Sequence, residues 1–520
     1  SLGYDKAFCS AMVATAGGLG LIIPPSISFV NYALVTGTSV TSLFMAGILP
    51  GCLIGGCLML YCYIYCRVHG EDKEKIRKNY EQLHRRTIFQ VLRSAFWALL
   101  SPVIILGGIY SGIFTPTEAG AVAAVTDRQV GDCPCLVVKD TGRALQQIAR
   151  FYREKFHPIL VGITGSVGKT TTKEMIACVL ESQFCTLKTQ GNLNNEIGQP
   201  KTLLGLEDCH QAAVIEMGMS HFGEISRMAR TAEPSIGVIT NIGYSHIENL
   251  KTQEGIRQAK LEIQDGMAAD APLVVNGDDP LLAPLKRELS RPVITYGMHS
   301  EKADVRAADV ERKAQSTSFS ILAQDGSTYP VELPCAGDHN VMNALAAFCV
   351  GRLAGIAPEQ ICKALEQYHT VGLRQNIYRR GAYTIIADCY NASPDSMKAA
   401  LTVLRDLPCK GRRIAVLGDM LELGEMSRQL HTLVGDMAAE SEVDALFCYG
   451  KESFYLAQRA AMQEVAVYHT EDKRELCRVI RQYLRPNDVI LFKASRGMHL
   501  EDCIDVIFEQ EEDADHAVLD

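Results

Sequence analysis

Residues 159–172 read ILVGITGSVGKTTT: an apolar strand pattern, a glycine turn, then Lys-Thr opening a helix. Few folds accommodate that order. Glycines let backbone N–H groups close on phosphate oxygens, and a helix N-terminus facing them adds partial positive charge. The segment therefore predicts an α/β domain with a phosphate loop built from Gly165, Ser166, Val167 and Gly168. Lys169 can reach the β- and γ-phosphates, the Thr170 hydroxyl can hold Mg²⁺, and Thr171 continues the turn. The spacing departs from G-x-x-x-x-G-K-[ST], because Ile163 stands where the first glycine belongs. A chance glycine turn would lack the strand before it and the helix after it. ATP with Mg²⁺ is the ligand pair implied.

Around this loop, short apolar runs alternate with helical patterns. The first series is 159–164, 212–218, 235–243 and 272–277; the second is 383–388, 412–419, 444–450 and 488–495. Strand–helix alternation means parallel sheets with crossover helices, and two series mean two α/β domains, the second Rossmann-like. Residues 303–334 alternate without helical period and read as an antiparallel β patch, while 145–156 (LQQIARFYREKF) is an amphipathic helix pattern. The acidic tail EQEEDADHAVLD reads as frayed. A net charge of −9 argues against a broad nucleic-acid-binding surface. The 18 cysteines are scattered without C-x-x-C pairs, which reads as reduced thiols and excludes a zinc ribbon or a disulfide scaffold.

Residues 1–125 are of another kind. The runs 43–66 and 95–114 carry no charged residue, and each is long enough to cross a hydrocarbon core of roughly 30 Å. Between them, 67–93 holds eight Lys/Arg and four Asp/Glu, which the positive-inside rule places in the cytoplasm. Residues 11–35 are apolar but broken by Gly17-Gly18, Gly20 and Pro24-Pro25, as in an interrupted membrane helix. A buried soluble helical hairpin is the alternative. The words GGLGLIIPPSISFVNYALVTGTSV, LFMAGILPG and PVIILGGIYSGIFTPTEAGAVAAV resemble the large permease subunit of tripartite ATP-independent periplasmic (TRAP) transporters. The resemblance stops at Val125. With 67–93 cytoplasmic, a span at 95–114 would carry residue 130 onward outside, away from ATP, unless 112–125 turns back. The reading frame therefore looks like two unrelated coding segments joined, and the start at Ser1 reads as a fragment.

From about residue 130 to 510 the chain resembles the Mur ligase superfamily. The carrying words are GITGSVGKTTTKEM (162–175), GNLNNEIGQP (191–200), IEMGMSHFGEI (215–225), NIGYSHIENL (241–250), GDHNVMNALAA (337–347), DCYNASPDSM (388–397) and LGDMLELG (417–424). The last two favour the D-alanyl-D-alanine-adding branch over folylpolyglutamate or cyanophycin ligases. A TRAP permease subunit with an incidental tail is the reading from another class. The resemblance implies amide formation: ATP phosphorylates a carboxylate to an acyl phosphate, which an amine then attacks. It implies UDP-N-acetylmuramoyl-tripeptide and D-alanyl-D-alanine as partners, no nucleic acid, a monomer, and a cytoplasmic ligase part with membrane association only through residues 1–125.

The same resemblance assigns residues. Glu216 and His246 follow apolar strands, where parallel sheets bind ligands, and with Thr170 they become metal ligands. Taken singly, each would be an ordinary loop carboxylate or a capping or core imidazole. Lys260 corresponds to a carbamylated lysine that binds a second Mg²⁺; as a bare helix lysine it would be a solvated surface charge. Asn276 matches an adenine contact, although Asn-Gly is also a strong turn signal. Arg374 and Asp388 match residues that reach ATP when the domains close. Asn194, Asn195 and Asn391 are expected at the substrate, as are Lys493, Ser495 and Arg496, which match K-G-S-R-G with Ala494 replacing the glycine. His339, Asn340 and Asn343 cap or polarise the helix that follows. The implied organisation is a permease-like helical fragment (1–125), the end of a substrate-binding domain with its linker (126–156), a central ATP-binding domain (157–370), a C-terminal domain (371–511) and a tail (512–520). Only the end of the uridine-diphosphate-binding domain is expected, so affinity for that substrate should be poor.

Overall fold

The computed structural model describes residues 124–126, 135–313, 316–369 and 376–509, with some helical positions between 46 and 65. It divides into two compact units, Ser1–Thr141 and Gly142–Asp520. In the first, strand β1 (Ala124–Thr126) pairs in parallel with β2 (Cys135–Val137). This corrects the sequence reading, which ended an all-α membrane-type segment at Val125. Val125 and Thr126 are β-branched and suit extended backbone. Among the described residues no helix is long and apolar enough to cross a membrane. The expected span 95–114, the loop 67–93 and the interrupted stretch 11–35 lie outside the described residues, as does 43–66 apart from positions 46, 50, 53–62 and 65.

The second unit begins with helix α1 (Thr141–Arg153), matching the amphipathic pattern. Arg150 and Arg153 at its last turn both reach Glu233. Nine strands then form one sheet: β3 (Ile159–Thr164), β4 (Thr186–Lys188), β5 (Ala212–Glu216), β6 (Ile236–Ile239), β7 (Leu273–Asn276), β8 (Val293–Gly297), β9 (Val305–Arg312), β10 (Thr317–Leu322) and β11 (Thr328–Leu333). Their order is β11-β10-β9-β8-β7-β6-β3-β5-β4. The expected antiparallel patch is β9–β11, and it is no separate layer: β9 pairs in parallel with β8 and extends the main sheet. The short strands β4 and β8 escaped the sequence reading.

Strand β3 is the pivot. It pairs with β5 on one side and β6 on the other, so the chain crosses over it between those strands. The crevice beyond the carboxyl end of β3 is thus the topological switch point, where open α/β sheets take ligands. Alternation along β3 sends Val161 and Ile163 into one core and Leu160 into another. Helix α2 (Lys169–Glu181) closes the first core with Met175, Ile176, Val179 and Leu180, all fully buried, against α4 (Asp338–Leu353). Each such side chain contributes roughly 1.5–3 kcal/mol by leaving water. On the other side of the sheet, α3 (Gln253–Leu261) buries Ile256, Ala259 and Lys260.

The second α/β sheet has six strands: β12 (Asn376–Arg380), β13 (Tyr383–Asp388), β14 (Arg413–Gly418), β15 (Ala445–Tyr449), β16 (Val467–Thr470) and β17 (Val489–Lys493). The order is β12-β13-β17-β14-β15-β16, parallel except for β12 on β13. Helix α5 (Pro394–Asp406) starts with a capping box between Ser393 and Ser396, which satisfies N–H groups the helix leaves open. Helix α6 (Ser427–Glu440) follows β14 after the loop 419–426.

Candidate active site

The turn after β3 is held by its neighbours rather than by itself. Ser166 N–H donates to Asn241 O at 3.1 Å, and Val167 N–H to Asn241 Oδ1 at 2.9 Å. Thr240 Oγ1 and Asn241 Nδ2 both donate to Val167 O. Gly165 passes so close to Thr240 that a Cβ there would stand 1.8 Å from Oγ1. Gly168 is left-handed (φ 81°) and opens α2 without a side-chain cap. The helix's first N–H groups are therefore left for a ligand. Lys169 Nζ folds back onto Gly165 O at 2.7 Å, a carbonyl that a phosphate oxygen would replace.

A polar chain runs from this loop. Thr170 Oγ1 donates to Glu216 Oε2 at 2.9 Å, Asn194 Nδ2 donates to Oε1 at 2.8 Å, and Thr189 Oγ1 accepts from Glu216 N–H at 3.0 Å. A carboxylate only 1% exposed, with the Thr170 hydroxyl against it, supplies oxygen ligands for a hard cation, and the Asn194 N–H orients that carboxylate. Lys260, 2% exposed, makes no side-chain hydrogen bond or ion pair among the described residues. Burial pushes its amine well below the lysine range, and the Lys169 charge adds to the effect. That is not the solvated surface lysine of the plain sequence reading.

One cavity of about 780 Å³ is lined from both sheets of the second unit, with Gly165, Thr170 and Lys260 just outside its lining. Ser166, Val167, Gly168, Lys169 and Thr171 line it beside Asn194, Asn195, Glu216, His246 and Asn276. Asp388, Asn391 and Lys493 face them from the second sheet. Asn276 lines the cavity and also makes the turn bond, accepting from Asp278 N–H at 2.9 Å. Asn195 likewise lines it while accepting Gly198 N–H at 2.7 Å as a local cap. Asn340 bonds Ala336 O, and Asn343 Oδ1 accepts from Thr172 Oγ1, tying α4 to α2. Lys493 Nζ is bound to Asp388 at 2.6 Å and to Asn391 O at 3.0 Å. The expected substrate lysine is therefore already paired with the expected ATP-contacting aspartate.

Ser495 and Arg496 do not reach that cavity. They line a smaller neighbour of about 250 Å³ with His246, Tyr390 and Glu422. Ser495 Oγ accepts Leu421 N–H at 2.9 Å, and the Arg496 guanidinium lies over the Tyr390 ring. Arg374 lies outside the described residues.

Three features were not assigned from sequence. Asn241, inside a quoted motif, brackets the phosphate loop. Buried Asp279 accepts Ile242 N–H at 2.7 Å and steadies the segment leading to His246; burial raises its carboxyl above the usual range. Glu422 meets His246 across the domains, Oε2 to Nδ1 at 2.6 Å, and the imidazole holds that carboxyl below the usual range. Only a polar residue just beyond a strand hinted at each. Two of the scattered cysteines stand close to each other and to a histidine. Parallel pairing of β4 with β5 brings Cys185, Cys209 and His210 together with ligand atoms within 4.8 Å of one another. They sit at the amino ends of those strands, opposite the phosphate loop, and His210 Nδ1 already accepts Glu207 N–H.

Such a site, a phosphate loop facing a second α/β domain across a carboxylate-lined cavity, defines a nucleotide-using ligase. Residues 163–351 match the family model of the Mur ligase middle domain, and 373–496 that of the Mur ligase glutamate ligase domain. The chain belongs to the Mur ligase family. More narrowly, it is 40% identical over 399 residues to UDP-N-acetylmuramoyl-tripeptide–D-alanyl-D-alanine ligase of Bacillus subtilis strain 168, covering 75% of this chain and 86% of that one. The Escherichia coli K12 enzyme of the same name is 33% identical, with 75% and 86% covered. Among solved structures, MurF from Acinetobacter baumannii superposes with TM-score 0.70 at 33% identity, covering 74% and 85%. MurF ligase from Thermotoga maritima in complex with ADP gives 0.68 at 28% identity, covering 77% and 91%. Residues 1–131 match another model, the DctM component of tripartite ATP-independent periplasmic transporters.

Proposed function

We infer that this chain is an ATP-dependent ligase that joins D-alanyl-D-alanine to UDP-N-acetylmuramoyl-tripeptide in peptidoglycan synthesis. The observation that carries the reading is the Thr170–Glu216–Asn194 chain beside the phosphate loop, with Glu216 and Asn194 lining a cavity walled by two α/β domains. A carboxylate is a poor electrophile, so it is first phosphorylated and the dipeptide amine then displaces phosphate. The first N–H groups of α2 and Lys169 bind the phosphates and meet the charge that develops on transfer, while the N–H groups of Ser166 and Val167 hold the turn in place through Asn241. Thr170, Glu216 and His246 are the residues that would hold Mg²⁺, which neutralises phosphate charge when bound. Burial disfavours the charged form of Lys260, which suits carbamylation: the amine nitrogen attacks carbon dioxide, a proton leaves, and the side chain becomes an anion. Asn276 serves the adenine, while Arg374 and Asp388 close on ATP from the second domain. Asn194, Asn195, Asn391, Lys493, Ser495 and Arg496 form the substrate side. Closure excludes water, which would otherwise hydrolyse the acyl phosphate.

We place the central domain at 157–370 and the C-terminal domain at 371–511, with 126–156 the end of the substrate-binding domain and 512–520 a tail. The ligase part acts as a monomer in the cytoplasm, where its nucleotides are. The family match at 1–131 favours a second reading for that segment alone, a permease-type piece with no part in ligation. The test is phosphate release by the purified chain given ATP, Mg²⁺, D-alanyl-D-alanine and the tripeptide substrate. Release should need all four and fall at least 100-fold in Lys169→Ala. Release that ignores the dipeptide would refute the ligase reading.

A further inference from the structure

The contact between His246 and Glu422 has no part in the chemistry above. His246 stands at the entry of a short helix after β6, and Glu422 on the loop after β14, so each α/β domain supplies one partner. Both are non-glycine residues with φ of 63°. That conformation is strained for a residue with a Cβ, and strain of this sort persists where its surroundings fix it. The surroundings here do. Met420 N–H donates to His431 Nε2 at 3.0 Å, Leu421 N–H to Ser495 Oγ at 2.9 Å, and Ser453 N–H to Asp419 Oδ1 at 2.7 Å. Across the domain boundary, Glu248 N–H points at Glu422 O (3.4 Å), and Gly424 packs against Glu248, where a Cβ would stand 2.9 Å from Cγ.

Against this braced loop, His246 Nδ1 is buried and has no aligned hydrogen bond; the Glu422 carboxylate, 2.6 Å away, is the acceptor in reach. His246 lines the main cavity and the smaller one that Glu422 lines. An imidazole whose Nδ1–H is taken by a carboxylate keeps its lone pair on Nε2, the state a metal ligand needs. We propose that Glu422 is a positioning residue that orients His246 toward the divalent cation, so that the cation site is complete only when the C-terminal domain is docked. The proposal rests on reading His246 as a cation ligand. Its consequence is linkage: whatever favours docking tightens cation binding, and cation binding favours docking by the same factor.

The probe is Mn²⁺ with ADP, followed by electron paramagnetic resonance on the full chain, with interdomain distance read by fluorescence transfer between labels on the two domains. Glu422→Ala should weaken Mn²⁺ binding about 10–100-fold and abolish the Mn²⁺-driven shortening of the distance. ADP affinity without metal should stay at the parent value, which reports an intact fold. Glu422→Gln, which keeps an acceptor oxygen without its charge, should restore part of the loss. Parental Mn²⁺ affinity in Glu422→Ala overturns the proposal, as does an equal loss in both variants. His246→Ala separates the two levels. If it too leaves Mn²⁺ affinity unchanged, the ligand reading of His246 fails; if it alone weakens binding, only the role of Glu422 fails.

Discussion

Replacing Lys260 by Met sets stability against function at a single atom. The side chain is 2% exposed on α3, and its amine has no acceptor among the described residues. Met nearly conserves length and volume, so no cavity opens. Desolvating this amine, the cause that lowers its pKa, costs about 1–3 kcal/mol, and the substitution removes that cost. For a domain of this size 1 kcal/mol moves Tm by roughly 2–4 °C, so Lys260→Met should melt roughly 2–12 °C higher. The comparison is made by thermal and urea unfolding in metal-free buffer stripped of carbon dioxide, where no carbamate forms. Phosphate release in complete buffer should meanwhile fall at least 100-fold, about 2.7 kcal/mol of transition-state stabilisation. A lysine kept for packing alone would give the opposite pattern. A Met variant that is less stable than its parent and still turns over would refute the reasoning.

Two further outcomes follow from the geometry. Gly165→Ala puts a Cβ 1.8 Å from Thr240 Oγ1, a clash worth about 1–3 kcal/mol that the loop relieves by moving; ADP affinity measured by calorimetry should fall at least tenfold, and unchanged affinity would show the turn is not fixed as described. His431 is buried between Met420 N–H and Ser427 O, and burial lowers its pKa below the usual 6.5. The unfolded chain then binds more protons than the native one below about pH 6.5, so stability is lost as pH falls through that window, by at most about 1.4 kcal/mol per unit. His431→Gln should flatten this dependence in urea unfolding at pH 5, 6 and 7, and parallel profiles would exclude His431 as its source.

Much of the site was legible because its logic is local. A strand, a glycine turn and Lys-Thr at a helix start share one backbone geometry, and Ile159–Thr164 and Lys169–Glu181 fall where that order demands. Glu216 and His246 were legible for a related reason: parallel strands end on one side of a sheet, so polar residues just past apolar runs arrive together. Strands long enough to bury two faces also announced themselves, as at Tyr383–Asp388. Three-residue β4 carries too few apolar positions to stand out.

What the chain order could not express is distance across the fold. That Lys260 is buried beside Lys169 instead of solvated depends on how α3 packs beneath the sheet, since helical period alone leaves one lysine's face open. That Lys493 neutralises Asp388 is set by the parallel register of β13 with β17, which puts the two residues side by side though 105 positions separate them. Glu422 reaches His246 because two domains dock, and docking depends on surface shapes that no periodicity encodes. The sequence by itself thus determined the phosphate loop, the strand–helix alternation and the carboxylate at a strand end. Each follows from neighbouring residues sharing one backbone geometry. Only the tertiary structure decided which charges meet, which stay unpaired and which span the domain boundary, because those outcomes follow from packing between segments far apart in the chain.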